Sequence, residues 1–386
     1  MKPEDFSSSA AGRVVRTLEG RWAFIPNPLP LSTNLEPDVI YALSEADRAV
    51  GELAGMGRML PNPHLLIKPF MRREAVLSSR IEGTRASLSD LYAFEAVQAR
   101  LWDREPNSDV NEVVNYVYAL EHALALLIKL PVSLRLIRET HSKLLEGVRG
   151  GTRNPGEFRR SQNWIGPPGC TLEKASFVPP PPNEILSALD KLEQFFYQST
   201  SIPPLIRLAM IHYQFEAIHP FLDGNGRLGR MIIVLLSCAW GLLPQPLLYI
   251  SAFFEANREF YYDLLQAVST RGAWNEWFLF FLKGVERQSR DALVRAKRLQ
   301  DLQEGYYERF KTSRSPSTVF RLVDLLFQSP VITIPKASKY IGTTYMPASH
   351  HVREFIKAGI LREVGGRSRN RLYIANEILD TVEGAL

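Results

Sequence analysis

The sequence predicts a mainly α-helical protein with a short β-hairpin flap and a C-terminal winged-helix domain. Three observations lead there. Apolar residues recur at helical spacing through most of residues 37 to 310. One Gly- and Pro-dense stretch, residues 149 to 182, interrupts them. Residues 313 to 386 read as three short helices followed by strand, glycine turn and strand. A chain of 386 residues has room for two or three domains, and its 45% hydrophobic and 23% charged content is ordinary for a globular protein.

The elements follow in order. Residues 1 to 35 are aperiodic and end in the Pro-rich IPNPLPLS, so an extended arm lying over a later domain is expected. From Pro37 to Leu60, Ile40, Leu43, Ala46, Val50 and Leu53 share a helical face, and PNPH stops the helix. The segment KPFMRREAVLSSRIEGTRASLSDLYAFEAV reads as two helices broken at Gly83-Thr84. Two more span 109–129 and 131–147. The stretch RGGTRNPGEFRRSQNWIGPPGCTLEKASFVPPPP, with short β-prone pieces, reads as a hairpin or irregular flap. A loop of that length inside a helical domain is uncommon and often functional. Helices resume at 183–199, 203–218, 226–241 and 252–268, and a long amphipathic one spans 274–310. Three regions are expected: 1–108, 109–300 and 301–386.

Composition excludes several classes. The net charge of +5 is mild, and +4 of it lies in residues 313–386, with ten Lys/Arg against six Asp/Glu. Cys170 and Cys238 lie far apart with no CxxC spacing, which implies neither a disulfide scaffold nor a zinc knuckle. MKPEDFSSSAAGRVVR has no apolar core of the kind a secretory signal needs. The apolar run after Arg230, MIIVLLSCAWGLL, is too short to span a bilayer and reads as a buried helix. A cytoplasmic protein with no membrane partner is expected.

Residues 219 to 230, HPFLDGNGRLGR, concentrate the chemistry. His219 would stand at the mouth of one helix, with Pro220 forcing the chain out. Gly224, Asn225 and Gly226 suit a tight loop before the next helix, whose free amides and positive end favour an anion. Arg227 and Arg230, three apart, can clamp a polyphosphate, and Asp223 can hold Mg²⁺ against phosphate oxygens. His219 is the candidate general base, because its natural pKa lies near neutral. His212, without companion ligands, reads as a packed histidine.

This stretch resembles the Fic motif, HxFx(D/E)GNGRxxR, at His219, Phe221, Asp223, Gly224, Asn225, Gly226, Arg227 and Arg230. Upstream, LSSRIEGT resembles the family's inhibitory pattern [S/T]xxxE[G/N] at Ser78, Glu82 and Gly83. The resemblance implies a Fic helical core with an N-terminal inhibitory helix. It also implies protein adenylylation, in which AMP passes from ATP to a Ser, Thr or Tyr hydroxyl of a target protein or of the chain itself. His219 would deprotonate that hydroxyl, buried Phe221 would support the loop, and Asp223 would bind Mg²⁺ between the α- and β-phosphates. The amides of Gly224, Asn225 and Gly226 would stabilise the transferring phosphate. Arg227 would hold the distal phosphates and Arg230 the γ-phosphate. Tyr249 and Asn257 match positions expected to touch adenine, with helix packing as the competing reading for the tyrosine. In the flap, Trp164, Ile165 and Gly166 would line the nucleotide or pin a target by strand addition, with hairpin packing as the competing reading. Glu82 would compete for Arg230 and hold the enzyme inactive, with Ser78 packing the inhibitory helix. The resemblance also makes a homo-oligomer expected. Two rival functions stay open: a DNA-binding regulator with a nucleotide-sensing site, and removal of AMP or transfer of another nucleotide. For DNA, MPASHHVREFIKAG would enter a major groove, with Arg367, Arg369 and Arg371 on the wing meeting phosphate.

Overall fold

In the computed structural model, all residues are described except 7–10, 18, 31–33, 60–62, 98–107, 168, 312–315, 365–370 and 385–386. The N-terminal arm differs from its expectation, because it is a β-hairpin. Strands β1 (Gly12–Arg16) and β2 (Trp22–Pro26) pair antiparallel, with Gly12 opposite Pro26 and Arg16 opposite Trp22. In β2, Ala23, Phe24, Ile25 and Pro26 are all buried, so the polar–apolar alternation that marks a strand is lost. The reason is contact on both faces: Ala23 packs with Val178, and Phe24 meets Phe177 at 5.8 Å between ring centroids. The arm does lie over the later domain, since the Phe24 N–H donates to the Val178 carbonyl (2.8 Å) and Gln214 donates to the Asn27 carbonyl (3.0 Å).

Five helices precede the flap: α1 (Pro37–Met59), α2 (His64–Ile81), α3 (Leu88–Val97), α4 (Ser108–Leu127) and α5 (Leu134–Leu144). The break expected at Gly83-Thr84 is where α2 ends, with Glu82 as its C-cap and Gly83 at φ +98°. After the flap come α6 (Pro182–Tyr197), α7 (Pro204–Ile218) and α8 (Asn225–Ala239). Almost every residue of α7 and α8 is buried, so these two helices form the centre of one continuous apolar core.

The helix expected over 252–268 is two helices, α9 (Ser251–Ala256) and α10 (Arg258–Arg271). Asn257 separates them at φ −123°, ψ 35°, its side chain donating to the Phe253 carbonyl at 2.8 Å. An amide side chain that competes for backbone partners in this way breaks helical geometry. The single helix α11 (Trp274–Phe310) runs the full length of the core and packs along α1. The third expected region, from residue 301, accordingly begins with the end of this helix.

The last unit comprises α12 (Ser317–Gln328), β3 (Val331–Ile332), α13 (Ile334–Ile341), α14 (Tyr345–Lys357), β4 (Arg362–Val364), β5 (Leu372–Ile374) and α15 (Asn376–Glu383). Its antiparallel sheet runs β3-β5-β4. Strand β3 is two residues long and fell below what periodicity can detect. This unit packs on α2 through α12 and α15. Arg73 of α2 donates to Asp291 of α11 (3.1 Å), Asp291 pairs with Arg295 (2.8 Å), and Arg295 donates to the carbonyls of Thr381 (2.7 Å) and Gly384 (2.8 Å) at the end of α15. The helix carrying Glu82 is thus tied at its middle to the C-terminus of the last helix. No helix among the described residues is long and apolar enough to cross a membrane.

Candidate active site

Helix α7 delivers His219 as its C-cap, in the left-handed conformation at φ 48°, ψ 61°. A non-glycine residue there is uncommon, and such local strain gathers at functional sites. Buried Arg159, from the flap, closes the helix end. Its Nε donates to the His219 carbonyl (2.9 Å), its Nη2 to the Pro180 carbonyl (2.5 Å), and its own N–H to the Pro220 carbonyl (2.9 Å). A cation on the last carbonyls of a helix also complements the helix dipole. Both ends of the flap are thereby pinned to the motif loop.

The loop is built around Asn225 and Phe221. Phe221 is fully buried, and the Asn225 side chain accepts from its N–H (2.9 Å) and donates to its carbonyl (2.8 Å). Gly224, at φ +76°, then turns the chain into α8. Replacing Asn225 with alanine would strand the buried Phe221 N–H, at about 1–3 kcal/mol, while the Phe221 carbonyl would keep the Asn163 amide at 2.9 Å. We expect Asn225→Ala to lower the melting temperature measurably and to abolish any phosphate binding at the loop. An unchanged melting temperature would remove this role.

The two arginines are buried and already paired. Arg227 meets Glu112 of α4 at 3.3 Å and Asp223 at 3.5 Å, and Arg149 shares Glu112 at 3.1 Å. Arg230 donates from Nε to Ser78 Oγ (2.8 Å) and from Nη2 to the Ser78 carbonyl (2.9 Å) and Glu82 Oε1 (2.8 Å). Glu82 also lies against the first turn of α8: a methyl group added at Gly226 would sit 2.3 Å from its Oε1. Only glycine there leaves room for the carboxylate. Ser78, Glu82 and Gly83 meet at one place: Ser78 holds the arginine, Glu82 pairs with it and Gly83 makes the turn.

Electrostatics follows from burial. Burial would raise the Glu82 carboxyl, but the facing Arg230 outweighs it and holds the group below the usual carboxylate range. Glu216, one helical turn before His219, is pushed up to about 8 by burial, against the pull of Arg230 and with Glu82 adding to the rise. At neutral pH Glu216 therefore favours its protonated form, and Glu82 is the carboxylate that pairs directly with Arg230. Burial, reinforced by Arg159, lowers His219 to about 4, against the Glu216 carbonyl, Glu82 and Asp223. His219 is therefore a neutral imidazole at physiological pH, the form a base needs.

These groups share a cavity of about 910 Å³. Glu82, Glu216, His219, Gly226 and Arg230 line one wall, Trp164, Ile165 and Gly166 of the flap another, and Arg258, Tyr261 and Tyr262 of α10 a third. The flap holds a single antiparallel bridge rather than a hairpin ladder: Ile165 N–H to the Phe177 carbonyl at 2.8 Å, and Ser176 N–H to the Ile165 carbonyl at 3.0 Å. Pro167 supplies no N–H, so pairing stops there. Trp164 stays 41% exposed, its Nε1 donating to the Cys170 carbonyl (3.0 Å).

Of the expected site residues, Asp223, Gly224, Asn225, Arg227, Tyr249 and Asn257 are not part of this lining. Tyr249 is buried in a separate small cavity with Phe70, Glu74 and Leu77, because the segment entering α9 passes against α2. Asn257 serves the α9–α10 break and does not line the main cavity. His212 is a packing histidine as expected, its Nε2 2.8 Å from the Tyr261 hydroxyl and its ring stacked near Phe254 and Trp277. Sequence reasoning missed Glu112, His141, Arg159 and Glu216. The local signal for Glu112 was an acid set between Val110 and Val113 in α4.

Fold and loop together define a helical protein in which a glycine turn opens a central helix and an acidic side chain pairs with Arg230 in its first turns. Family models match the chain twice, as Fic/DOC family N-terminal over residues 40–125 and as Fic/DOC family over residues 131–237. The chain belongs to the Fic/DOC family. It is 33% identical over 167 residues to a Drosophila grimshawi protein named protein adenylyltransferase Fic, covering 42% of this chain and 32% of that one. A Drosophila mojavensis protein of the same name is 32% identical over 167 residues, covering 42% and 31%. The chain spans about a third of the length of these curated relatives. Among solved structures, a Fic family protein from Desulfovibrio desulfuricans G20 aligns with a TM-score of 0.57 at 17% identity, covering 89% of this chain and 97% of that one. Fic-1 from C. elegans aligns with a TM-score of 0.52 at 20% identity, covering 68% and 74%. These two likenesses establish the shared fold.

Proposed function

We propose that the protein transfers AMP from ATP to a Ser, Thr or Tyr hydroxyl of a target protein or of itself, and that Glu82 restrains it. The observation that carries this reading is a neutral His219 and a buried Arg230 facing one cavity across the start of α8. The hydroxyl oxygen forms a bond to the α-phosphorus, the bond from that phosphorus to the bridging oxygen breaks, and pyrophosphate leaves. The hydroxyl proton passes to His219. The amides of Gly224, Asn225 and Gly226, with the α8 dipole, stabilise charge on the transferring phosphate. Arg227 and Arg230 hold the distal phosphates once Glu82 has given way.

Asp223 is the residue that would hold Mg²⁺, which would neutralise phosphate charge. The fit rests on its carboxylate, a quarter exposed at the loop with one oxygen tied to the Gly224 N–H at 2.7 Å. One carboxylate suits this ion, which completes its shell with water and phosphate oxygens. No cluster of three or more acidic, His or Cys ligands occurs among the described residues, consistent with a cation shared with the substrate. The test is intact-mass spectrometry of the Glu82→Gly protein after incubation with each nucleoside triphosphate and Mg²⁺. A gain of one AMP with ATP alone supports the reading, and no adduct with any nucleotide overturns it.

We read the C-terminal unit as a winged helix, on its order of helix, strand, two helices and two strands. Its α14 exposes Arg353 and Lys357, while Arg371 pairs with Glu363 at 3.3 Å. Arg367 and Arg369 lie outside the described residues. Retarded migration of duplex DNA by the full chain, lost with Arg353→Ala, would support a nucleic-acid partner.

A further inference from the structure

His141 lies on α5, 82 residues from Asp223 in sequence, yet it meets the motif loop and the flap at three points. Its Nδ1 accepts a hydrogen bond from the Gly156 N–H at 2.8 Å. An imidazole whose Nδ1 accepts carries its proton on Nε2 when neutral. That Nε2 is 2.9 Å from the Asp223 carbonyl oxygen, to which it can only donate. The ring lies flat on Phe221, with centroids 3.8 Å apart and planes at 14°. His141 is fully buried, and its bond from Gly156 is shielded from water, while the one to Asp223 is partly so.

The contact acts on the loop through one peptide unit. In a trans peptide the carbonyl and the following N–H point in opposite directions. With the Asp223 carbonyl held on the α5 side, the Gly224 N–H faces the other way, where it donates to Asp223 Oδ1 at 2.7 Å. The carboxylate direction is thus set by a chain of His141, the Asp223–Gly224 peptide and the Asp223 side chain. Gly224 is favoured here by its φ of +76°, since a methyl group there would meet His141 Nε2 at an ordinary contact distance of 3.5 Å.

We propose that His141 is a positioning residue for the transfer reaction, aiming the Asp223 carboxylate and the first amide of the phosphate nest through the Asp223 carbonyl. This rests on the proposed function, because it concerns the cation–phosphate pair that Asp223 would hold. Outer partners that orient a metal ligand typically change metal affinity by roughly 10–100-fold when removed.

Two substitutions separate the two hydrogen bonds in the Glu82→Gly background. His141→Gln places an amide N–H near the Nε2 position and keeps the donor to Asp223. His141→Asn places a carbonyl near the Nδ1 position and keeps only the acceptor for Gly156. ATP binding is titrated by calorimetry with and without Mg²⁺, alongside kcat, KM and melting temperature. The Asn variant should weaken the Mg²⁺-dependent part of ATP binding roughly tenfold and lower kcat to match, leaving Mg²⁺-free ATP affinity unchanged. The Gln variant should retain both. Equal effects in the two variants, an unaltered Mg²⁺ dependence, or failure of either to fold would make His141 a packing residue and overturn the proposal. If Glu82→Gly itself transfers no AMP, the reaction assignment fails, while the calorimetric comparison still decides the role of His141.

Discussion

Glu82→Gly raises ATP-dependent self-modification by about a hundredfold over the unaltered chain. The expectation follows from what the nucleotide must displace. Hydrogen bonds between charged groups contribute about 1.5–3 kcal/mol net, and the upper end of that range corresponds to roughly a hundredfold in an equilibrium. Glu82 holds Arg230 at 2.8 Å and also fills the space over Gly226, so a γ-phosphate has neither its cation nor its room. Removing the carboxylate restores both without touching His219 or Asp223. Among the described residues, the same change leaves buried Arg230 hydrogen-bonded to Ser78 alone, so the unliganded variant should melt earlier. ATP should then stabilise the variant far more than the unaltered chain. A transfer rate unchanged by the substitution would discard the restraint. Acid is no substitute for the mutation. The Glu82 carboxyl is held below its unfolded value, so the pairing is fully present above about pH 4.5 and is lost only as pH falls through the depressed value. Transfer by the unaltered chain should therefore stay low across pH 5.5 to 8.

The parts of this device that were legible in sequence are the ones that are local. The motif from His219 to Arg230 supplies loop, nest and arginines within twelve consecutive residues, and the turn at Gly83 follows Glu82 directly. Helix spans were legible for the same reason, since apolar periodicity is a short-range signal. What escaped depends on contacts between distant segments. Glu112 reaches Arg227 across 115 residues and Arg159 reaches His219 across 60, and one sequence holds no record of such pairings. Strand β2 escaped because burial on both faces erased its alternation. Between the two readings of Tyr249 the sequence could not choose, because the contact of its segment with α2 is long-range. The tie from Arg73 through Asp291 and Arg295 to α15 was equally invisible, although it fixes the helix that carries Glu82.

His219→Ala in the Glu82→Gly background lowers AMP transfer by roughly a thousandfold, the range general-base removal commonly costs, while ATP affinity stays within a fewfold. The separation is expected because the arginines and loop amides that would bind phosphate do not depend on the imidazole. Alanine is strained at φ 48°, so His219→Asn, which tolerates a left-handed backbone, is the matched control. Both should be inactive, and transfer surviving in either would remove His219 from the reaction. The pH profile adds an independent test. The free protein holds His219 at about 4, so kcat/KM should fall only as pH drops toward that value. Bound ATP brings phosphate charge near the ring, which favours the imidazolium and raises its pKa. The acid limb of kcat should then lie at higher pH than the limb of kcat/KM. Coincident limbs would mean that the group limiting the rate does not face the phosphates, and the base would have to be sought elsewhere in the cavity.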